Sequence, residues 1–114
     1  IRRVQNIKDL NKFANKILTS SEIKHLDTLD QKNSVNYLAK QFAAKEALSK
    51  ALGTGLIGDV KLNLIEIDRD QSGKPYIKMN DHMKTLLSKI GVNSTFVSLA
   101  DDSDFAVATV ILER

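Results

Sequence analysis

The chain has no cysteine, no tryptophan and a single proline, and aromatic residues make up only 5% of its 114 residues. Without cysteine it can form no disulfide, zinc–thiolate site or thiol nucleophile, which leaves oxygen chemistry and hard metals such as magnesium. The sequence has no run of the roughly 20 apolar residues that a membrane-spanning helix needs. We therefore expect no membrane partner, and a reducing, cytoplasmic compartment.

The composition indicates one compact domain over residues 1–114, with 42% hydrophobic and 27% charged residues. A disordered tail is excluded, because such chains lack the apolar content that offsets chain entropy. The sequence begins at Ile1, without a methionine. We expect that its natural start is missing and see no signal peptide.

Hydrophobic periodicity divides the chain into helices followed by strands. The predicted helices are one from Asn6 to about Leu18, a short one through Leu29 opened by a capping box of Thr19 and Glu22, a long one at 35–52 stopped by Gly53, and one at 83–90. The polar run 30–34 separates the second helix from the third. The predicted strands lie at about 61–68, 76–79, 95–99 and 105–112, the last two joined by the acidic turn 101–104. This order predicts an α+β fold, in which an antiparallel sheet packs with helices.

The net charge of +3 is unevenly distributed, because residues 1–18 carry +4 and the other 96 residues carry −1. Lys8, Lys12 and Lys16 recur every four residues and would form one basic stripe on the first helix. The stripe is either a solvated helix face or a docking strip for an acidic protein or nucleic acid. Nucleic acid is disfavoured, because few aromatic side chains accompany the basic ones for base stacking.

The long predicted helix carries a carboxylate, Glu46, near the middle of an apolar stripe, and the opposite side of the helix is also apolar. Lys50 follows one turn later on the same face. One interpretation is a helix-stabilising Glu–Lys pair. The other is that Glu46 binds a cation or a catalytic proton while Lys50 meets an anion beside it.

Residues 42–55 read FAAKEALSKALGTG, which resembles the signature of the holo-acyl-carrier-protein synthases, small bacterial 4'-phosphopantetheinyl transferases. Further similarity lies in FANKILT at 13–19 with Glu22, in GKP at 73–75, and in VSL at 97–99 with FAVA at 105–108. The resemblance covers nearly the whole chain in the family's order.

The resemblance implies transfer of 4'-phosphopantetheine from coenzyme A to a serine of apo acyl carrier protein in fatty acid biosynthesis, with release of 3',5'-ADP. It also implies a magnesium ion, for which Glu46 is one ligand, and Lys50 as a catalytic, phosphate-binding residue. A carboxylate in an apolar stripe is tolerable when it holds a metal. The further expected coenzyme A contacts are Gly53, Gly55, Lys74 and Pro75.

The resemblance gives the basic stripe a specific role. Family members dock the acidic recognition helix of the carrier protein on basic residues of their first helix. Arg3 and Lys12 align best with those positions, and Lys8 and Lys16 are their neighbours. The family also implies a homotrimer with active sites between subunits, so that some apolar surface, such as the terminal hairpin, would be intermolecular.

The sequence departs from the family pattern at several points. The family's opening strand, with a second metal-binding carboxylate, is expected before Ile1. Asp101 stands where the family usually has histidine, and we interpret it as a turn residue. Gln41 stands where arginine is common, which removes one possible phosphate contact. The two histidines, His25 and His82, are expected at the surface or in packing.

Two other interpretations stay open from the sequence. One is a basic binding module without catalysis, for an acidic protein or a nucleic acid. The other is a degenerate family member that binds coenzyme A but has lost turnover.

Overall fold

A computed structural model describes residues 7–53, 58–101 and 106–114 of the chain. Its elements are the helices α1 (Ile7–Ile17), α2 (Ser20–Asp27), α3 (Gln31–Leu52) and α4 (Asp81–Ile90), a 3₁₀ turn (Leu62–Leu64), and the strands β1 (Ile67–Arg69), β2 (Pro75–Ile77), β3 (Ser94–Asp101) and β4 (Ala106–Glu113). The predicted α+β fold is confirmed. Within these three ranges, no helix is both long and apolar enough to cross a membrane. Asn6, the predicted cap of α1, and residues 102–105 lie outside the described residues.

The helix ends follow from local capping. Thr19 and Glu22 form the predicted capping box at the start of α2, each side chain accepting the other's backbone N–H. The polar run 30–34 was expected to interrupt helical structure, and this expectation was wrong. The Asp30 side chain accepts the N–H of Asn33, so the run becomes the first turn of a 22-residue α3. Gly53 ends α3 with a φ of 86°, a conformation that favours glycine.

The strands form two antiparallel pairs. β1 pairs with β2 in the register Ile67↔Ile77, and β3 pairs with β4 in the register Val97↔Val110. A strand was expected from residue 61, but 62–64 form a 3₁₀ turn instead, closed by the bond from the Leu64 N–H to the Lys61 carbonyl. The alternation of apolar residues in this segment indicates only that some of them are partly buried. A 3₁₀ turn can bury them as a strand would, so the alternation did not distinguish the two.

The apolar core consists of two clusters that share α3. One cluster lies between α3, α1 and α2 and includes Ala14, Ile17 and Leu38. The other lies among α3, α4 and the strands and includes Leu48, Met83 and Val97. α3 is therefore covered on two sides, as its sequence predicted.

The hairpin of β3 and β4 buries only one of its faces. Side chains of both strands alternate in exposure, as expected for a sheet with one solvated face. The solvated face is apolar in part, because Phe96, Val107 and Ile111 are each about half exposed.

Candidate functional site

α3 presents the two predicted catalytic residues on one side of the helix. Glu46 is half-buried and Lys50 is exposed, and residues four apart lie one above the other on a helix. Among the ion pairs of the described residues, none joins Glu46 to Lys50. The helix-pair interpretation is therefore not supported, and both charges face outward from the core.

The enclosed charge of α3 is Lys45, immediately before Glu46. Its side chain is fully buried, and its ammonium nitrogen donates to a Glu22 carboxylate oxygen and to the carbonyls of Ile17 and Leu62. These three acceptors match the three donors of a lysine ammonium. Burial lowers the pKa of Lys45, and the adjacent Glu22 carboxylate opposes that shift.

Glu22 is the centre of this network. Its Oε1 accepts from the ammonium of Lys45 and from the Thr19 N–H, and its Oε2 accepts from the side-chain amide of Gln41 at 2.6 Å and from the Ile67 N–H at 2.9 Å. We call Glu22, Gln41 and Lys45 the buried polar cluster. All three side chains are at most 3% exposed, and every buried side-chain N or O atom of the described residues has a hydrogen-bond partner, as a stable buried network requires.

The sequence interpretation missed this cluster, although it carries a signal. Gln41 and Lys45 fall at the helical spacing of the buried leucines Leu38, Leu48 and Leu52. Polar residues at core positions require buried partners. The identity of the partner could not be read from the sequence, because Glu22 lies 23 residues from Lys45.

A cavity of about 490 Å³ opens beside the cluster, between α2, α3, the β1–β2 hairpin and the end of β3. Its lining residues include Glu22, His25, Tyr37, Lys40, Gln41, Asp68, Arg69, Pro75 and Asp101. Of the predicted site residues in the described part of the chain, only Pro75 lines it.

Burial and the nearby Glu22 carboxylate raise the pKa of Tyr37, so its phenol stays protonated.

Asp101 is not a turn residue, which corrects the sequence interpretation. It ends β3 opposite Ala106, and its carboxylate lies 3.1 Å from the ammonium of Lys40 at the cavity. β3 extends two residues beyond the predicted strand because the backbone pairing with β4 continues to this point. The Asp101 carboxylate thus forms an ion pair between β3 and α3.

The predicted Gly-Lys-Pro turn lies between β1 and β2. Lys74 is exposed, and Pro75 begins β2 opposite Arg69. The Asp70 side chain accepts the backbone N–H groups of Ser72 and Lys74. The Ser72 hydroxyl also donates to Asp70. This bond, and next the backbone bond from Lys74, lower the pKa of Asp70, and together the bonds fix the shape of the turn.

The described part of the predicted docking strip, Lys12 and Lys16, lies on the outside of α1. Lys12 and Lys16 are exposed, whereas Ala14 and Ile17 on the inner face are buried. Phe13 packs edge-on against Phe42 of α3, with ring centroids 4.9 Å apart. Lys8 belongs to α1 by its backbone. Arg3 and Gly55 lie outside the described residues.

The two histidines lie on other helices than Glu46, His25 on α2 and His82 on α4. His25 is exposed and its ring lies 4.8 Å from the ring of Tyr37. His82 is half-buried and accepts the Lys61 N–H through Nε2. Burial, and next the charge of Lys61, lower the pKa of His82. Both positions agree with the expected surface or packing roles.

A divalent cation at Glu46 would have few protein ligands. In the three described ranges, no group of three or more His, Asp or Glu side chains converges on one point. Magnesium is usually bound by one or two carboxylates together with substrate phosphates and water. The single outward carboxylate of Glu46, with its hard oxygen donors, fits that type of ion.

The fold and the site define the class of this protein. It is a small α+β protein whose long central helix presents a carboxylate and an ammonium group one turn apart, beside a basic first helix. A family model described as the 4'-phosphopantetheinyl transferase superfamily matches residues 1–110.

Known proteins with similar sequences and structures narrow this class. The holo-[acyl-carrier-protein] synthase of Vibrio atlanticus is 44% identical over 101 residues, which are 89% of this chain and 79% of that protein. The crystal structure of the Neisseria meningitidis holo-[acyl-carrier-protein] synthase superposes with a TM-score of 0.83 at 37% identity, covering 97% of this chain and 91% of that one. The chain belongs to the 4'-phosphopantetheinyl transferase superfamily and, within it, to the holo-[acyl-carrier-protein] synthases.

Several of the similar structures contain a bound ligand. The Helicobacter pylori holo-[acyl-carrier-protein] synthase, solved in complex with coenzyme A, has a TM-score of 0.76 at 28% identity and covers 98% of this chain and 89% of that one. The comparisons thus support the family resemblance found in the sequence.

Proposed function

We propose that this protein transfers the 4'-phosphopantetheine group from coenzyme A to a serine of apo acyl carrier protein, in the cytoplasm and for fatty acid biosynthesis. The products are holo carrier protein and 3',5'-ADP. The observation that carries the proposal is the outward pair of charges on α3, Glu46 and Lys50, within a chain similar to holo-acyl-carrier-protein synthases over almost its full length.

The proposed reaction is a phosphoryl-type transfer. The serine hydroxyl oxygen forms a bond to the β-phosphorus of coenzyme A, and the bond from that phosphorus to the oxygen bridging to the α-phosphate breaks. The serine proton is lost to a base, and 3',5'-ADP leaves with the bridging oxygen. Charge grows on the leaving phosphate, so fixed positive charges that face it accelerate the step.

Glu46 and Lys50 would each contribute to stabilising this phosphate charge. A magnesium ion held by Glu46 would neutralise phosphate charge. Lys50, one turn along the same side of α3, would contact the pyrophosphate as a point charge. The partly exposed position of Glu46 leaves it accessible to an ion that also binds the substrate.

Coenzyme A would further contact two turns. Gly53, at the end of α3, has an exposed backbone with positive φ, so the nucleotide part can approach it closely. Gly55 follows in the same motif. Lys74 lies in the turn shaped by Asp70 and Pro75 begins β2, and both would contact coenzyme A from the β1–β2 hairpin.

The carrier protein would dock on α1 through the strip of Arg3, Lys8, Lys12 and Lys16. Of these, Lys12 and Lys16 are exposed on the outer face of the helix. An acidic helix placed against them would be steered by charge, and its association would weaken with salt.

A homotrimer would cover the exposed apolar face of the β3–β4 hairpin. Phe96 lies directly opposite Ile111 on that face. Val107 lies on the same face, because Val107, Thr109 and Ile111 are alternate residues of β4. Contiguous apolar surface of this kind commonly marks a protein interface. Active sites between subunits would bring residues of two copies around coenzyme A.

The central test is transfer itself. The protein is incubated with coenzyme A, magnesium and apo acyl carrier protein, and the carrier is weighed by mass spectrometry. We expect the mass of a 4'-phosphopantetheine adduct. An unmodified carrier, with a known synthase active in parallel, would leave a basic binding module or a degenerate member as the interpretation, and calorimetry with coenzyme A would separate these two.

Glu46→Gln should abolish transfer and the magnesium-dependent part of coenzyme A binding, because an amide is a poor magnesium ligand. The fold should be unchanged, since Glu46 is not part of the core. Transfer assays and calorimetry with and without magnesium measure both effects. Asp27→Asn, an exposed carboxylate on α2, is the matched control and should behave as the wild type. Unchanged activity of Glu46→Gln would remove this residue from the mechanism.

Lys12→Glu should raise the KM for the carrier protein about fivefold, which corresponds to about 1 kcal/mol of lost charge attraction. The KM for coenzyme A should not change. Steady-state kinetics at low salt provide both values. Lys84→Glu makes the same charge reversal at an exposed site on α4 and should have little effect. Equal changes in both KM values for Lys12→Glu would argue against a docking role.

A further inference from the structure

We propose that Lys45 and Glu22 are positioning residues, whose buried ion pair sets where helix α1 lies relative to the turn of α3 that carries Glu46 and Lys50. The inference rests on the proposed function, in which α1 receives the carrier protein and the α3 turn meets coenzyme A. Both side chains are at most 3% exposed, and their charged groups are bonded within the protein, so we expect them to act through the elements that they hold.

Lys45 joins the two functional helices directly. Its ammonium donates to the carbonyl of Ile17, the last residue of α1, at a distance of 2.5 Å. Ile17 follows Lys16 of the docking strip. The same ammonium donates to the Leu62 carbonyl of the 3₁₀ turn at 3.0 Å. The end of α1 and the middle of α3 are therefore tied to one charged group.

Glu22 holds the other side of the ion pair in place. It is fixed by the capping box at the start of α2, by the amide of Gln41 on α3, and by the Ile67 N–H at the start of β1. The pair thus lies where α1, α2, α3, the 3₁₀ turn and β1 meet. Movement of any one of these elements would break a hydrogen bond to a buried charge.

The bond from Lys45 to Ile17 fixes the position of α1 against the α3 turn. The direction of Glu46 is set by the helix itself, because successive residues on a helix point about 100° apart. An error of about 1 Å in the placement of reacting groups can reduce a rate about a hundredfold. In some proteins, buried ionic or polar groups select one arrangement of packed elements, and we propose that role for this pair.

The geometry can be measured without any enzymatic activity. Because the chain has no cysteine, Asn15→Cys on α1 and Ala51→Cys on α3 introduce two unique labelling sites, both exposed. Spin labels at these sites report the distance between the helices by double electron–electron resonance, with the labelled chain diluted by an excess of unlabelled chain so that a trimer carries at most one labelled copy. We expect a single narrow distribution in the otherwise unchanged chain, a broader or displaced one with Lys45→Met, and no change with the surface control Lys84→Met.

The kinetic consequence should be specific to the carrier protein. In Lys45→Met we expect kcat/KM for the carrier to fall at least about tenfold, while the dissociation constant of 3',5'-ADP, measured by calorimetry, changes less than twofold. A purely structural defect would lower both together. Lys45→Cys, alkylated in denaturant with 2-bromoethylamine and refolded, restores an ammonium of nearly the same length and should recover carrier turnover, whereas alkylation with iodoethane should not.

Lys45→Met leaves Glu22 buried without its partner and can fail to fold. The double variant Glu22→Gln with Lys45→Met removes both charges and is then measured in the same way. Unchanged helix distance or unchanged carrier turnover in the folded variant would overturn the proposal, and so would equal losses for carrier and 3',5'-ADP. If the wild type transfers nothing, the proposed function fails, whereas the distance measurement still tests the placement of the helices.

Discussion

Adjacent residues of α3 have opposite environments. Lys45 is fully enclosed and bonded on all three donors, whereas Glu46 is half-buried and directed away from the core. A rotation of about 100° along the helix separates the two roles. The rigid support and the candidate metal ligand are therefore neighbours in the chain.

Gln41→Leu should lower the free energy of unfolding by about 1–3 kcal/mol, because it leaves the Ile67 carbonyl and part of Glu22 without a donor inside the core. Leucine has a similar size, so the loss reports hydrogen bonding and not a cavity. Urea denaturation measures the effect. Gln71→Leu, at an exposed site in the β1–β2 turn, should change stability by less than about 0.5 kcal/mol. A similarly small loss of stability for Gln41→Leu would show that the Glu22 carboxylate does not need the hydrogen bond from Gln41.

The sequence contained only part of this residue-level information. Glu46 and Lys50 stood out through their positions in a patterned helix, and the capping role of Thr19 and Glu22 followed from spacing alone. The second role of Glu22, as the partner of Lys45 and Gln41, depends on contacts across 23 and 19 residues. Local periodicity carries no information about such distant pairing.

At the level of elements, α2 depends strongly on its first turn. It has eight residues, and a helix this short is marginal without capping and tertiary contacts. Thr19 supplies both, since its hydroxyl accepts the Glu22 N–H and donates to the Glu66 carboxylate at 2.8 Å. The start of α2 is thereby linked to the segment leading into β1.

Thr19→Ala should destabilise the protein by about 0.5–2 kcal/mol through loss of the cap. The capping hydroxyl also serves Glu66, so we expect a value in the upper half of that range. Chemical denaturation with an unchanged m-value provides the measurement. Thr85→Ala, exposed on α4, should be neutral or slightly stabilising because alanine favours helices. If the two variants were equally stable, the capping box would contribute nothing.

Helices and strands were predicted about equally well, with one misplaced element of each kind. Three of the four predicted helices matched to within a few residues of each end, and only the start of α3 was missed, because Asp30 was interpreted as a break and not as a cap. The strand predicted at 61–68 instead contains a 3₁₀ turn, followed by the first residues of β1. Its backbone conformation is determined by tertiary bonds, such as those of the Leu62 carbonyl with Lys45 and of the Ile67 N–H with Glu22, which sequence alternation cannot indicate.

At the level of the whole molecule, the solvated face of the β3–β4 hairpin stands out. It exposes Phe96 and Ile111 side by side, although a two-stranded sheet exposed to water on this face gains nothing from apolar residues there. Self-association through this face would explain them, in line with the proposed trimer.

Phe96→Ser combined with Ile111→Ser should convert the proposed trimer to monomer, because it removes apolar area from the proposed contact. Sedimentation velocity distinguishes the two masses. Transfer activity should fall as well if active sites form between subunits. Met79→Ser changes an exposed apolar residue outside the hairpin and should leave the mass unchanged. A wild-type monomer, or a double variant that keeps its mass, would contradict the assignment of this face.

The buried polar cluster also has a consequence for the lifetime of the folded state. The Glu22 carboxylate meets the Ile67 amide across 45 residues, so a long loop must close before the cluster can form. The charged groups of Glu22 and Lys45 are desolvated only when these distant segments pack together. We therefore expect the cluster to form after the folding barrier, where interactions slow unfolding and hardly affect folding. The same bonds that place α1 against α3 would then determine how long each molecule stays folded.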